Sequence, residues 1–175
     1  MSGRPQNFVS AFIYSDELAN FEYSPTHPFK PIRAKLTLDL CRRYDLIERP
    51  WISIVKPEPL PFEFMAEFHD ATYLKALQAL DSAALASEPR PDGSSGRERD
   101  PFPIDPQILK YELWTDENPI FAGVYDYSAL TAGATFTGAK MVASGEVQVA
   151  FNPVGGFHHA ARDHDGTPQI GRAHV

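Results

Sequence analysis

Apolar positions recur along this chain in two rhythms. Phe8-Val9-Ser10-Ala11-Phe12-Ile13-Tyr14 is a continuous run of strand length, apolar enough to predict a first strand covered on both faces. Val147-Gln148-Val149-Ala150-Phe151 is a second short run with β-branched residues and predicts another buried strand. Between them the spacing turns helical. From Pro31, which suits a first helical position because its missing N–H costs nothing there, Ile32, Leu36, Leu40 and Tyr44 mark one apolar face. Phe62 to Phe68 predicts a short helix whose aromatics belong to the core. His69-Asp70 leads into a further helix with Tyr73, Leu74, Leu77 and Leu80 as its buried stripe, His69 being read as a capping or packing residue. Gly123 to Ser144 predicts a long helix rich in Ala and Gly, small enough to lie close to a sheet.

Polar and proline-rich stretches punctuate these elements. Ser15 to Glu22 reads as a polar connector, and Tyr23 to Arg33 contains three prolines that forbid regular structure until the last. Pro57 to Pro61 is a second such connector. Ser87 to Asp100 has too little apolar surface to bury and reads as a mobile surface insertion, and Pro101 to Pro119 as irregular. Strand, helices, long helix, strand is the order expected of a parallel α/β layer structure.

Composition narrows the function classes. A chain of 175 residues with 43% hydrophobic and 22% charged residues fits one globular domain. A net charge of −7 without a basic run argues against direct nucleic-acid binding. The single cysteine, Cys41, excludes an intrachain disulfide or a Cys-rich zinc cluster, and its apolar neighbours predict a buried thiol. No apolar segment approaches the roughly 20 residues that span a bilayer. The N-terminus lacks the apolar core of a signal peptide, so a cytoplasmic location is expected.

The candidate chemistry lies in Asn152-Pro153-Val154-Gly155-Gly156-Phe157-His158-His159. Two adjacent imidazoles follow a strand on a glycine-bearing loop, where α/β folds concentrate their sites. One histidine can take a proton from water while its neighbour donates to a developing oxyanion. On local grounds this reading stands level with that of two loop histidines making ordinary hydrogen bonds. Arg33 has a similar pair of readings, a solvated first-turn cation or one reaching toward a polar channel. Asp116 and Glu117, before Pro119, form either an exposed turn or a cleft rim that holds a substrate backbone.

Taken in order, Thr26-His27-Pro28-Phe29-Lys30-Pro31-Ile32-Arg33, Phe68-His69-Asp70-Ala71-Thr72-Tyr73-Leu74, Asn118-Pro119-Ile120-Phe121 and Gly155-Gly156-Phe157-His158-His159-Ala160 resemble the zinc-dependent histone deacetylase family. The Asn-Pro version is most similar to its bacterial acetoin-utilisation deacetylases. The resemblance implies the arginase/deacetylase fold, a three-layer α/β/α structure with a mostly parallel sheet, and hydrolysis of an acetyl-lysine amide by a metal-bound water. It implies His159 as general base and acid and His158 as its electrostatic partner near the oxyanion. Arg33 would line a channel through which acetate leaves, Gly155 and Gly156 would form its wall, and Asp116 or Glu117 would hold the substrate backbone. The family's aspartate at the rim corresponds here to Glu117, a departure. The implied substrate is an acetylated protein or a small acetylated amine. The alternatives are an acetylpolyamine amidohydrolase and a non-catalytic deacetylase-like regulatory protein.

The resemblance covers roughly the N-terminal half of a family domain. Its zinc ligands, an Asp-x-His and a later Asp, are expected beyond Val175, so no residue of this chain is assigned to the metal and the chain alone is expected to be inactive. Asp163, His164 and Asp165 read as a solvated charge cluster. Residues 1–168 are expected to be the N-terminal part of a deacetylase domain. Residues 169–175 (Gln-Ile-Gly-Arg-Ala-His-Val) read as a non-native tail.

Overall fold

The computed structural model describes residues 9–21, 30–87, 110, 111, 113, 120–155 and 161–163. Its elements are β1 (Ser10–Ile13), α1 (Glu17–Asn20), α2 (Arg33–Arg43), β2 (Ile52–Val55), α3 (Phe62–Met65), α4 (Ala71–Ser87), α5 (Val124–Ala143) and β3 (Val149–Phe151). The three strands form a parallel sheet in the order β2-β1-β3. Phe12 is in register with both Ile54 and Phe151. Because all three strands run the same way, their C-terminal ends share one edge, and the chain leaves that edge at Tyr14, Lys56 and Asn152.

Helices cover both faces of the sheet, as expected for the α/β/α architecture. The Ala11, Ile13 and Ala150 face lies under α5, where a Cβ added at Gly138 would sit 3.2 Å from that of Ala150. The opposite face, with Tyr14 and Ile54, lies beside α2, whose Leu38, Asp39 and Arg42 share a cleft with them. The small residues of α5 therefore permit close helix–sheet approach. They also let α5 serve two cores at once. Leu130, Ala134 and Met141 belong to the core around the sheet, while Val124, Ala129 and Ala132 belong to the core built by α4 with Met65, Tyr111 and Leu113. Tyr73, Leu74, Leu77 and Leu80 all point into the second core, the face their spacing predicted.

Four local expectations are corrected. Ile32, Leu36, Leu40 and Tyr44 are 42%, 58%, 55% and 69% exposed. The buried side of α2 is instead Ala34 and Leu38, with Cys41 half-buried against the same core. The helix carries two apolar stripes, and the one bearing the small Ala34 is seated inward. The predicted buried strand is also different: β3 covers only 149–151, and Val149 and Phe151 are 47% and 50% exposed. Among the described residues β3 pairs on one side only, and its outward residues extend beyond the cover of α2. The Ser15–Glu22 connector contains α1, anchored by the buried Leu18 and Ala19. Finally, Phe64 and Phe68 are exposed, while Phe62 is half-buried against the second core that Met65 enters. Ile52-Ser53-Ile54-Val55, for which no strand was predicted, forms β2.

Candidate functional site

The Asn152–Gly155 turn leaves the C-terminal edge of the sheet, and the side chain of Asn152 shapes it. Its Oδ1 accepts from the Val154 backbone N–H at 3.0 Å, and its Nδ2 donates to Thr135 Oγ1 on α5 at 3.2 Å. The first bond is a local asparagine turn; the second ties that turn to the neighbouring helix. Val154 is buried in the sheet core. Gly155 is exposed, and a Cβ there would meet nothing within 4 Å, so the turn opens outward at this residue.

The chain is held again at Ala161 and Arg162. The backbone N–H of Asp70 donates to the Arg162 carbonyl at 2.7 Å, and His69 Nδ1 lies 3.0 Å from the Ala161 carbonyl. A carbonyl only accepts, so Nδ1 carries the proton in this pair. His69 is 3% exposed, packed edge-on against Phe68 and tilted against Tyr73. Burial lowers its pKa, with the carbonyls of Ala161 and Arg162 acting in the opposite direction. The 66–70 turn owes its own rigidity to α4. Asp70 accepts from both the backbone and the hydroxyl of Thr72, which lowers its pKa, and Tyr111 donates to the same hydroxyl at 2.7 Å.

A buried carboxylate, Asp81, orders the start of α5. Asp81 on α4 accepts from Gly123 N at 2.6 Å and Tyr125 N at 3.2 Å, meeting two of the orphan donors at that helix end. Gly123 has φ +84°, and a Cβ there would come within 2.7 Å of the Phe21 ring. Neither role was anticipated from the sequence, because a mid-helix aspartate carries no local capping signal.

Of the predicted site residues, Arg33 and Gly155 fall among the described ones. Arg33 opens α2 with its side chain exposed, its N–H donating to Lys30 O and its carbonyl accepting from Thr37. His158, His159, Gly156, Asp116 and Glu117 lie outside the described residues, as do the Ser87–Asp100 insertion beyond Ser87 and the 169–175 tail. Asp163 is exposed. Among the described residues no group of three or more His, Cys, Asp or Glu side chains is arranged to hold a metal. No described helix is long and apolar enough to cross a membrane. An open cleft of about 640 Å³ between β1, β2 and α2 contains none of the predicted site residues, and its charges are partly paired, as Lys56 with Glu17 at 2.8 Å.

The family profile described as Histone deacetylase domain matches residues 27–166. Histone deacetylase 8 of Xenopus tropicalis is 35% identical over 133 residues, covering 76% of this chain and 31% of that protein. The acetoin utilization protein AcuC of Bacillus subtilis is 30% identical over 153 residues, covering 87% of this chain and 34% of that protein. Histone deacetylase clr6 of Schizosaccharomyces pombe is 25% identical over 152 residues, covering 87% and 33%. The chain thus spans about a third of the length of these curated relatives.

Proposed function

Because the chain belongs to the histone deacetylase family, we propose that the complete protein hydrolyses the amide of an acetylated lysine, with His158 and His159 as the reacting pair. In this reading His159 takes a proton from the attacking water as its oxygen bonds to the acetyl carbon. His158 donates a hydrogen bond to the oxygen that gains negative charge. The C–N bond then breaks, His159 returns the proton to the departing amine, and acetate and free lysine result. Arg33 and the wall formed by Gly155 and Gly156 serve the exit of acetate, and Asp116 or Glu117 holds the substrate backbone at the rim. The proposed cofactor is zinc, which when bound polarises the scissile carbonyl and acidifies water. Among the described residues no group of three or more His, Cys, Asp or Glu is arranged to hold it, so none is assigned to it. The proposed substrates are acetylated proteins, with small acetylated amines as the competing class. A cytoplasmic location is consistent with the likeness to the Bacillus protein.

The observation that supports this reading most is that the chain is held on either side of the 156–160 segment. Asn152 fixes the chain before it, and His69 and Asp70 fix the chain after it, at the strand-end edge of a parallel sheet. General acid–base chemistry needs positioned side chains, and held flanks favour that. The test is an assay of the polypeptide read from the whole gene, supplied with zinc, against an acetyl-lysine peptide and an acetylated polyamine. Faster release of acetate from the peptide supports the proposal. Turnover of the polyamine alone, or of neither substrate, overturns it.

A further inference from the structure

We propose that His69 is a positioning residue, whose buried imidazole donates to the Ala161 carbonyl and thereby sets where the chain lies two residues after His159. The inference deepens the deacetylase reading and rests on it for the importance of His159; the anchoring itself does not depend on catalysis.

Three features carry it. The bond joins positions 92 residues apart, so it fixes tertiary placement and has no part in local turn geometry. The donor is immobilised, because the ring is 3% exposed and held between Phe68 and Tyr73 with centroids at 4.8 and 5.6 Å. The backbone of the very next residue, Asp70, makes a parallel bond to Arg162 at 2.7 Å, so two consecutive donors grip two consecutive carbonyls. An apolar residue of the same size would fill the space and lose the grip. Selection of a buried imidazole, which costs desolvation, is explained by the bond it makes.

Two substitutions separate the ring from its donor. His69→Asn places an amide N–H where Nδ1 stood and loses the ring; His69→Phe keeps a ring and loses the donor. Amide hydrogen exchange of the full chain reads the Asp70 N–H, which donates to the Arg162 carbonyl beside the bond in question, with α2 and β2 as distant controls. The proposal expects exchange at Asp70 to rise about fivefold to tenfold in His69→Phe, the factor equivalent to one hydrogen bond of ordinary net strength. It expects His69→Asn to stay near the wild type and the controls to be unchanged relative to it. A rise in His69→Asn with protection kept in His69→Phe assigns the residue to packing and overturns the proposal. So does an equal change everywhere, or the absence of protection at Asp70 in the wild type. Should both variants fail to fold, the ring ¹⁵N spectrum of wild-type His69 decides: the Nδ1–H tautomer supports the bond and the Nε2–H tautomer excludes it. Neither readout requires turnover, so loss of the anchor and loss of the deacetylase reading are distinguishable.

Discussion

The Nδ1 atom of His69 and the carbonyl oxygen of Ala161 are 3.0 Å apart, joining the turn before α4 to the chain just past the paired histidines. Burial lowers the pKa of this imidazole, so the folded protein holds it neutral while the unfolded chain takes up a proton first. Its contribution is therefore fully present above the unfolded value near 6.5 and is lost as pH falls from there through the lower folded value. Urea midpoints measured at pH 7.5 and pH 5 should fall more for the wild type than for His69→Asn, which has no titrating ring. Equal falls would contradict the assignment.

Gly133 is where α5 passes closest to the proline-rich connector. A Cβ there would overlap the Glu58 carbonyl oxygen and approach Leu60 N within 2.9 Å, while Leu60 N already donates to Ala129 O. These neighbours are backbone and cannot rotate away. Gly133→Ala should therefore destabilise the protein by about 2–4 kcal/mol despite the better helix propensity of alanine. Denaturant unfolding checks this, and a stabilised variant would show that the helix stands farther off.

Asp81 caps α5 from a neighbouring helix. Asp81→Ala leaves the N–H groups of Gly123 and Tyr125 without their acceptor in a part-buried site, and a loss of about 1–3 kcal/mol is expected. Asp81→Asn retains an acceptor oxygen and should lose less. Thermal unfolding of the two variants side by side measures the difference. The same loss in both would assign the effect to charge instead of hydrogen bonding.

Among the described residues β3 has β1 on one side and no strand on the other, with Val149 half exposed. Such an edge invites pairing with other chains. Val149→Lys should reduce concentration-dependent light scattering while changing unfolding by no more than about 0.5 kcal/mol, as exposed substitutions usually do. Unchanged scattering would mean that association uses another surface.

The sequence disclosed elements whose apolar stripe had no competitor. In α4, Tyr73, Leu74, Leu77 and Leu80 lie on one face and all are buried. In α2 the Ile32-Leu36-Leu40-Tyr44 stripe competes with Ala34 and Leu38, and helix–sheet packing decided between them in a way periodicity does not encode. The strand β2 escaped notice because four residues give too short an alternation. Ile52 and Val55 are half-buried while Ser53 and Ile54 are exposed. The family was legible in the motifs taken in series, whereas the paired histidines proposed to carry the chemistry lie outside the described residues. The contacts on either side of them were not legible: Asn152 reaching Thr135, and His69 and Asp70 reaching Ala161 and Arg162, are made by the fold between distant positions.

The central claim is that His159 moves the proton in amide hydrolysis. It is tested most directly by acetate release from an acetyl-lysine peptide, comparing the zinc-supplied product of the whole gene with its His159→Ala variant at equal folded concentration. The account predicts a fall in kcat of about 100-fold or more, the lower end of what a general acid–base group contributes. A variant that turns over the peptide at the unsubstituted rate would contradict it.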